Sequence, residues 1–355
     1  MARVKLGDVA REYKATIKDT ADLPIVGLEH LTPGEITLER WDVGTENTFT
    51  KGFKKGHMLF GRRRAYLKKA ALAPFDGVCS GDITVIEAIP GKINPELLPF
   101  IIQNDLLFDY AVGNSAGSLS PRVKWESLKG YEFELPEIAE QDGLVELLKA
   151  AHRTKKAYQK QITATDELVK SQFIEMFADT PKGKLSDIAT ITMGQSPDGK
   201  TYNTDGNGMC FYQGKTEFGD LYIGEATTWT TAPSRIAEAN DVLMSVRAPV
   251  GSTNIATQTC CLGRGLAGIR PIEGKSTTMF IQYSMRSIED DIENMGVGST
   301  FKAINKDVVY NLPIPLATIE LQNKFVALAE QSDKSKLTSK FNQEVCICLQ
   351  KPILK

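Results

Sequence analysis

Gly117 to Gln141 reads GSLSPRVKWESLKGYEFELPEIAEQ, and Gly298 to Gln322 reads GSTFKAINKDVVYNLPIPLATIELQ. Both open on Gly-Ser, carry two basic residues within their first nine positions, pass through a short apolar run and close on Ile-x-x-Gln. Two earlier blocks return in the same order. KLGDVA at Lys5 to Ala10 reappears as KLSDIA at Lys184 to Ala189, and HMLFGRR at His57 to Arg63 as DVLMSVR at Asp241 to Arg247. Three blocks recurring in order, each about 180 residues on, mean that one structural unit occurs twice, and any motif found in one copy can be checked against the other.

Each copy leads into a polar helical stretch. No Pro or Gly interrupts Leu144 to Phe177, and Leu144, Leu148, Ala151, Tyr158, Ile162 and Val169 recur at steps of three and four or their multiples, the seam of a coiled coil broken by Lys155 and Thr165. A helix of about 38 residues is roughly 57 Å long at about 1.5 Å per residue, too long to be wrapped inside a small domain. After Gln322 a weaker seam runs through Phe325, Leu328, Ala329, Ser332 and Leu337. The economical arrangement pairs the two helices antiparallel within one chain. The alternatives are that each packs on its own domain or pairs between chains.

The parts between the helices are strand-rich. HMLFG, GVCSGDITVIEA, KGYEFELP, DVLMSVR, GLAGIRP and VVYNLPIPL are short apolar or alternating runs punctuated by Gly, Pro and Asp. PELLPFIIQNDLLFDYAV and TTMFIQYSMRSIEDDIENM are the clearest helical segments inside the units, so the fold class is α+β.

Apolar residues make up 42% of the 355 residues and charged residues 24%, the proportions of a globular protein long enough for two domains. The N-terminus is charged throughout and no apolar run reaches the roughly 20 residues of a membrane helix, so a cytoplasmic protein is expected. The six cysteines form no C-x-x-C pair and there are three histidines, which leaves no zinc-ligand spacing. Reduced thiols and no metal are expected.

Catalytic patterns fail against the repeat. Gly113 to Gly117 is a literal G-x-S-x-G, but nothing in the second copy matches Ser115, and the only later histidine is His152 in the long helix. Gly214-Lys215-Thr216 and Gly274-Lys275-Ser276 resemble the end of a phosphate-binding loop, yet the glycine required five positions earlier is Met209 in one and Ile269 in the other. No adenine-methyltransferase (N/D)-P-P-(Y/F) tetrapeptide occurs. No catalytic residue is assigned.

Charge points elsewhere. The net charge is -2, but Lys51 to Phe75 holds eight basic residues and no acid, among them Lys54, Lys55, Arg62, Arg63, Arg64 and Lys68. Such a window is the footprint of nucleic-acid binding, with cations for phosphates and arginines suited to guanine edges. The repeated loops add Arg122 and Lys124 in the first copy and Lys302 and Lys306 in the second, where Gly, Ser and cations together suit phosphate. The second copy adds Lys215, Arg247 and Arg264. Its residues 183–318 hold 11 basic and 14 acidic side chains, so by charge alone the two units are not expected to grip DNA equally.

These same stretches carry a family resemblance. GQSPDGKTYNTDGNGMCFYQG after KLSDIATITM, NDVLMSVRAPVGSTNIA, MLFGRRRAYLKKAALAPFDGVCSGD, and the two block ends LPEIAEQ and LPIPLATIELQ resemble the specificity (S) subunit of type I restriction-modification systems, over nearly the whole chain. The resemblance implies two similar target-recognition domains in tandem, 1–138 and 179–318, each followed by a long spacer helix, 139–178 and 319–355, the helices pairing as an antiparallel coiled coil with pseudo-two-fold symmetry. It implies a non-catalytic reader of double-stranded DNA, each domain taking one half of a split site, with no cofactor of its own. Two methyltransferase subunits carrying S-adenosylmethionine and further motor-nuclease subunits are the implied partners, with no membrane involved. The last segment, EVCICLQKPILK, abandons the charged helical pattern, so a shortened second spacer is expected. The rival reading is a coiled-coil scaffold whose globular domains bind protein.

Overall fold

The computed structural model describes residues 2–20, 22–45, 47–296 and 302–350, with side chains as far as 346. Gly298 and Ser299 of the repeated loop, and 351–355 where the second spacer is expected to be cut short, lie outside the described residues. The chain divides into two compact units, residues 1–159 with 340–355 and residues 160–339.

Both units follow one plan from the first repeat block onward. In the first, Ala2–Lys5 pairs antiparallel with Glu132–Leu135; in the second, Lys182–Lys184 pairs with Pro313–Pro315. A single helical turn follows, Leu6–Val9 or Leu185–Ile188, started by an aspartate that accepts the backbone N–H three residues back, Asp8 from Lys5 and Asp187 from Lys184, each at 2.8 Å. The carboxylate occupies an N–H that has no partner within the turn, which is why KLGDVA and KLSDIA both keep Asp at that place.

The main sheet then repeats strand for strand. Its order in the first unit is Ala10–Glu12, Ile83–Ala88, Met58–Gly61, Ala70–Leu72, and in the second Ala189–Met193, Leu266–Pro271, Val242–Ser245, Thr253–Ile255. Two central strands in each copy carry buried residues on successive positions, because helices cover one face and a second sheet the other. The helical segments expected from sequence are Leu98–Ile102 with Asp105–Gly113, and Thr278–Ser287 with Glu289–Met295. Asn104 breaks the first pair by capping the new helix through the Leu106 N–H.

At the start of the second repeat block the copies exchange charge. His57 faces Glu87 at 3.6 Å in the first unit, while Asp241 takes a two-pronged contact from Arg270, 2.9 Å on each oxygen, in the second. Burial holds the His57 imidazole below its usual range, so at neutral pH this side is the weaker pair.

The closing glutamine of each quoted stretch is a buried anchor. Gln141 accepts the Asn94 N–H at 2.7 Å and donates to the Pro136 carbonyl at 2.9 Å; Gln322 accepts the Thr277 N–H at 3.1 Å and donates to the Ala317 carbonyl at 2.9 Å. Both are essentially unexposed. In each copy one amide ties the first turn of a long helix to the globular part. A Gln141→Leu variant keeps the bulk but strands the Asn94 N–H, and is expected to lose about 1–3 kcal/mol of stability. A urea midpoint equal to that of the parent would show that Asn94 has another acceptor.

The long helices are Ile138–Met176, 39 residues, and Ile319–Gln350, 32 residues. In the second unit Val169, Phe173 and Phe177 share a core with Phe325 and Ala329, and Asp166 meets Lys336 at 2.6 Å. Advancing along one helix thus retreats along the other, an antiparallel pair within one chain. In the first unit Gln343 reaches Gln159 at 2.7 Å. The residues of the expected seam lie in different surroundings. Ile162 and Val169 are buried, and Ala151, Tyr158 and Leu328 are half-buried, whereas Leu148 is buried in the globular core of the first unit with Leu144 packed against it. The first three turns serve their own unit, where Val145 and Leu148 join its core. Leu337 is 60% exposed and takes no part in the seam.

Candidate nucleic-acid interface

The second and third repeat blocks meet at one bridge in each unit. Arg63, the last residue of HMLFGRR, forms an antiparallel bridge with Arg122 of the Gly117 block; Arg247, the last residue of DVLMSVR, forms the same bridge with Ala303 of the Gly298 block. Val123 N–H donates to the Arg62 carbonyl and Arg64 N–H to the Pro121 carbonyl, at 3.0 and 2.8 Å, with matching bonds from Ile304 to Val246 and from Ala248 to Lys302. Basic runs separated by some 60 residues in sequence are therefore brought side by side, twice.

What surrounds the bridge differs. In the first unit Asp82 lies between the two arginines, 2.7 Å from Arg122 Nε and 3.4 Å from Arg63 Nη1. The guanidinium of Arg122, helped by Arg63, holds the Asp82 carboxyl below the usual carboxylate range. Arg63 also donates to Ser120 Oγ at 3.1 Å. At the corresponding place in the second unit, one residue before the long central strand, stands Gly265, and Ala303 replaces Arg122. Without a counterpart of Asp82, exposed Arg247 keeps no side-chain ion pair among the described residues.

The window without acids is not isolated once folded. Lys54 pairs with Asp76 at 2.9 Å, Lys68 with Asp105 at 2.6 Å, and Lys51 reaches Glu12 at 3.4 Å. Lys55 uses its backbone N–H on Asp76. Of the basic residues singled out in the first copy, those whose side chains have no partner among the described residues are Lys55, Arg64 and Lys124, all exposed, with Arg62, whose Nε is shielded and lacks an acceptor. Arg64 and Lys68 both sit in the left-handed region, at φ 53° and 51°, and bracket a short turn, Ala65–Leu67, from which Tyr66 projects at 54% exposure.

In the second unit the bridge opens on a cleft of about 570 Å³ lined by Lys215, Arg247 and Arg264 among Gln213, Thr216 and Ser245. No acidic side chain lines it. Three of the cations singled out from sequence thus line one cleft in a unit whose net charge is negative, with Lys215 Nζ held by Ser252 Oγ, which in turn donates to Glu289 Oε1. Lys302 is exposed on the strand-like segment joined to Arg247, while Lys306 lies 4.9 Å over the Tyr310 ring of its own helix.

The catalytic look-alikes have structural roles. Ser115 Oγ donates to the Ala111 carbonyl at 2.7 Å and its strand pairs with Val123, so the hydroxyl is committed to its own helix end. Lys275 donates to the Asp187 carbonyl at 3.1 Å, and Lys215 to Ser252 Oγ at 3.2 Å. Burial pushes the Cys79 and Cys260 thiols up to about 12, which leaves them protonated and unreactive. Among the described residues, no helix is long and apolar enough to cross a membrane.

Two copies of one bridge, each joining a basic run to the block that leads into a long helix, define a duplicated protein with cationic surfaces suited to nucleic acid. Residues 179–345 match the family model described as the type I restriction modification DNA specificity domain. Among curated proteins, the one named as the putative MjaX type I restriction enzyme specificity subunit of Methanocaldococcus jannaschii is 27% identical, over 86% of this chain and 79% of that protein. Among solved structures, a chain from work on complex assembly and conformational transition of the type I R-M system is 29% identical and superposes with a TM-score of 0.62, over 99% of this chain and 96% of that one. The S subunit from M. genitalium, at 12% identity, shares the fold with a TM-score of 0.58, over 99% and 94%. Residues 179–345 thus carry a type I DNA specificity domain, and the chain is similar to a type I specificity subunit over most of its length, which makes it a DNA sequence-recognition subunit; specificity subunits are in general non-catalytic.

Proposed function

We propose that each unit reads one half of a bipartite DNA site, that the basic bridges at Arg63 and Arg247 face the duplex, and that the long helices fix the gap between half-sites. On this reading the helices also seat two methyltransferase subunits, whose bound S-adenosylmethionine supplies the methyl group for adenine; motor-nuclease subunits add cleavage, and the assembly works in the cytoplasm. This chain's own residues bind and orient the duplex.

The observation that carries the reading is the cleft of the second unit. Lys215, Arg247 and Arg264 line it with no acidic side chain among them, in a unit where acids outnumber bases. Concentrating cations at one place and removing the Asp82-type partner leaves charge for phosphates or guanine edges. The test is a triple charge reversal, Lys215→Glu, Arg247→Glu and Arg264→Glu, in the complex with its methyltransferase. Affinity for the cognate duplex is expected to fall by at least about 100-fold, and the slope of log affinity against log salt to flatten by about 2–3, since each phosphate neutralised by the protein contributes about 0.9. A parental slope would remove the cleft from the interface.

A further inference from the structure

Leu119 is 91% exposed, the most exposed of the large apolar side chains among the described residues. Isolated exposed leucines are ordinary on protein surfaces and mean nothing by themselves. This one differs in how it is held and in what surrounds it. Gly117 turns the chain into the loop at φ 111°, a conformation that side-chain-bearing residues rarely adopt. On the other side Ser120 accepts from Arg63 at 3.1 Å and the Pro121 carbonyl accepts from Arg64 N–H at 2.8 Å. A short loop fixed at both ends displays one apolar side chain, in place of the polar side chain that a loop tip ordinarily presents to water.

Its neighbours are those of a duplex interface. The Arg62–Arg64 run lies directly against the 120–123 segment, exposed Arg64 and Lys124 have no counter-ion among the described residues, and the Nε atoms of Arg62 and Arg63 are shielded from solvent without an acceptor. Cations that reach phosphates on either side would carry the loop between them to the base edges. There an aliphatic side chain has one specific partner, the C5 methyl of thymine in the major groove.

We infer that Leu119 is a specificity-determining residue of the first unit, contacting the methyl group of a thymine in its half-site. The inference rests on the reading of the bridge as the DNA-facing side. Cations at this place give affinity for any duplex; an apolar tip gives preference for one base pair.

The test pairs a protein change with a matching DNA change. Cognate duplexes are made with each thymine of the first half-site replaced in turn by deoxyuridine, which removes the methyl and leaves the base pairing intact. The parent complex is expected to bind one of these duplexes about 4-fold more weakly, the effect of exposing one methyl-sized group. The Leu119→Ala complex is expected to bind the cognate duplex more weakly and to show no further loss on that same substitution. Leu119 is almost wholly exposed, so its removal should leave the melting temperature unchanged. Equal uracil costs in parent and variant, or no cost at any position, would overturn the inference while leaving the bridge in place. If the parent complex showed no sequence-dependent binding at all, the reading of the bridge would fall and the tip with it.

Discussion

Replacing Phe325 by alanine is expected to destabilise the second unit by about 3–5 kcal/mol, the range for removing a fully buried aromatic ring. The ring is unexposed and stands 5.2 Å from Phe173, 5.6 Å from Phe177 and 5.5 Å from Tyr283, in edge-on arrangements with all three. Phe177 in turn stands 5.2 Å from Phe280 of the globular part. One side chain of the C-terminal helix therefore plugs a cluster that joins both long helices to the sheet-covering helix Thr278–Ser287. Alanine leaves a cavity that four rigid rings cannot close by small rotations, so the cost belongs at the upper end for core truncations. Guanidinium unfolding of the full chain should show the transition of the second unit moved to lower denaturant, with Leu337→Ala, on the same helix but 60% exposed, within about 0.5 kcal/mol of the parent. A shift below about 1 kcal/mol for Phe325→Ala would mean that the long helices are held elsewhere.

The repeat made the architecture readable because it is written in residues whose roles are local. Asp8 and Asp187 cap a turn, and Gln141 and Gln322 satisfy backbone groups at a helix root. Both kinds of signal survive at short range in sequence. The phenylalanines were harder to see. Phe173 and Phe177 continue the Val169 stripe by steps of four, a continuation that the 3.6-residue period offered, but the rings that enclose them come from Phe280 and Phe325, about 100 and 150 residues away. The site was legible as a set of cations and not as an electrostatic surface. A linear window counts Lys54, Arg63 and Lys68 as free charge, whereas Asp76, Asp82 and Asp105, each lying just beyond it in sequence or farther, fold back onto them. The clue to the difference between units lay in the repeat itself, where Gly265 stands in for Asp82. Its meaning needed the bridge geometry that puts that position beside Arg63 and Arg247.

Shortening both long helices by one heptad is expected to shorten the preferred gap between half-sites by about three base pairs, with each half-site unchanged. Gln159 lies opposite Gln343 in the first unit, and Asp166 opposite Lys336 in the second, so the matched deletion is 156–162 with 340–346. Seven residues at about 1.5 Å each remove about 10 Å of helix, and a base pair occupies about 3.4 Å of duplex. A heptad is close to two full helical turns, so the deletion shortens each rod while rotating its far end by only about 20°. The duplex, however, turns about 100° over three base pairs at about 10.5 per turn. The second unit would then meet its half-site on a different face of the DNA unless the duplex twists. Overall affinity should therefore fall even at the new optimum, whereas a deletion matched to a whole turn of DNA, about 23 residues from each helix, would restore the facing but cut into the residues that anchor the helices to their units. Single-molecule methylome sequencing of cells carrying the shortened subunit with its methyltransferase reads both half-sites and the gap at once. An unchanged gap would show that the spacing is set by the globular units and their partner subunits, and that the paired helices serve only to hold those partners.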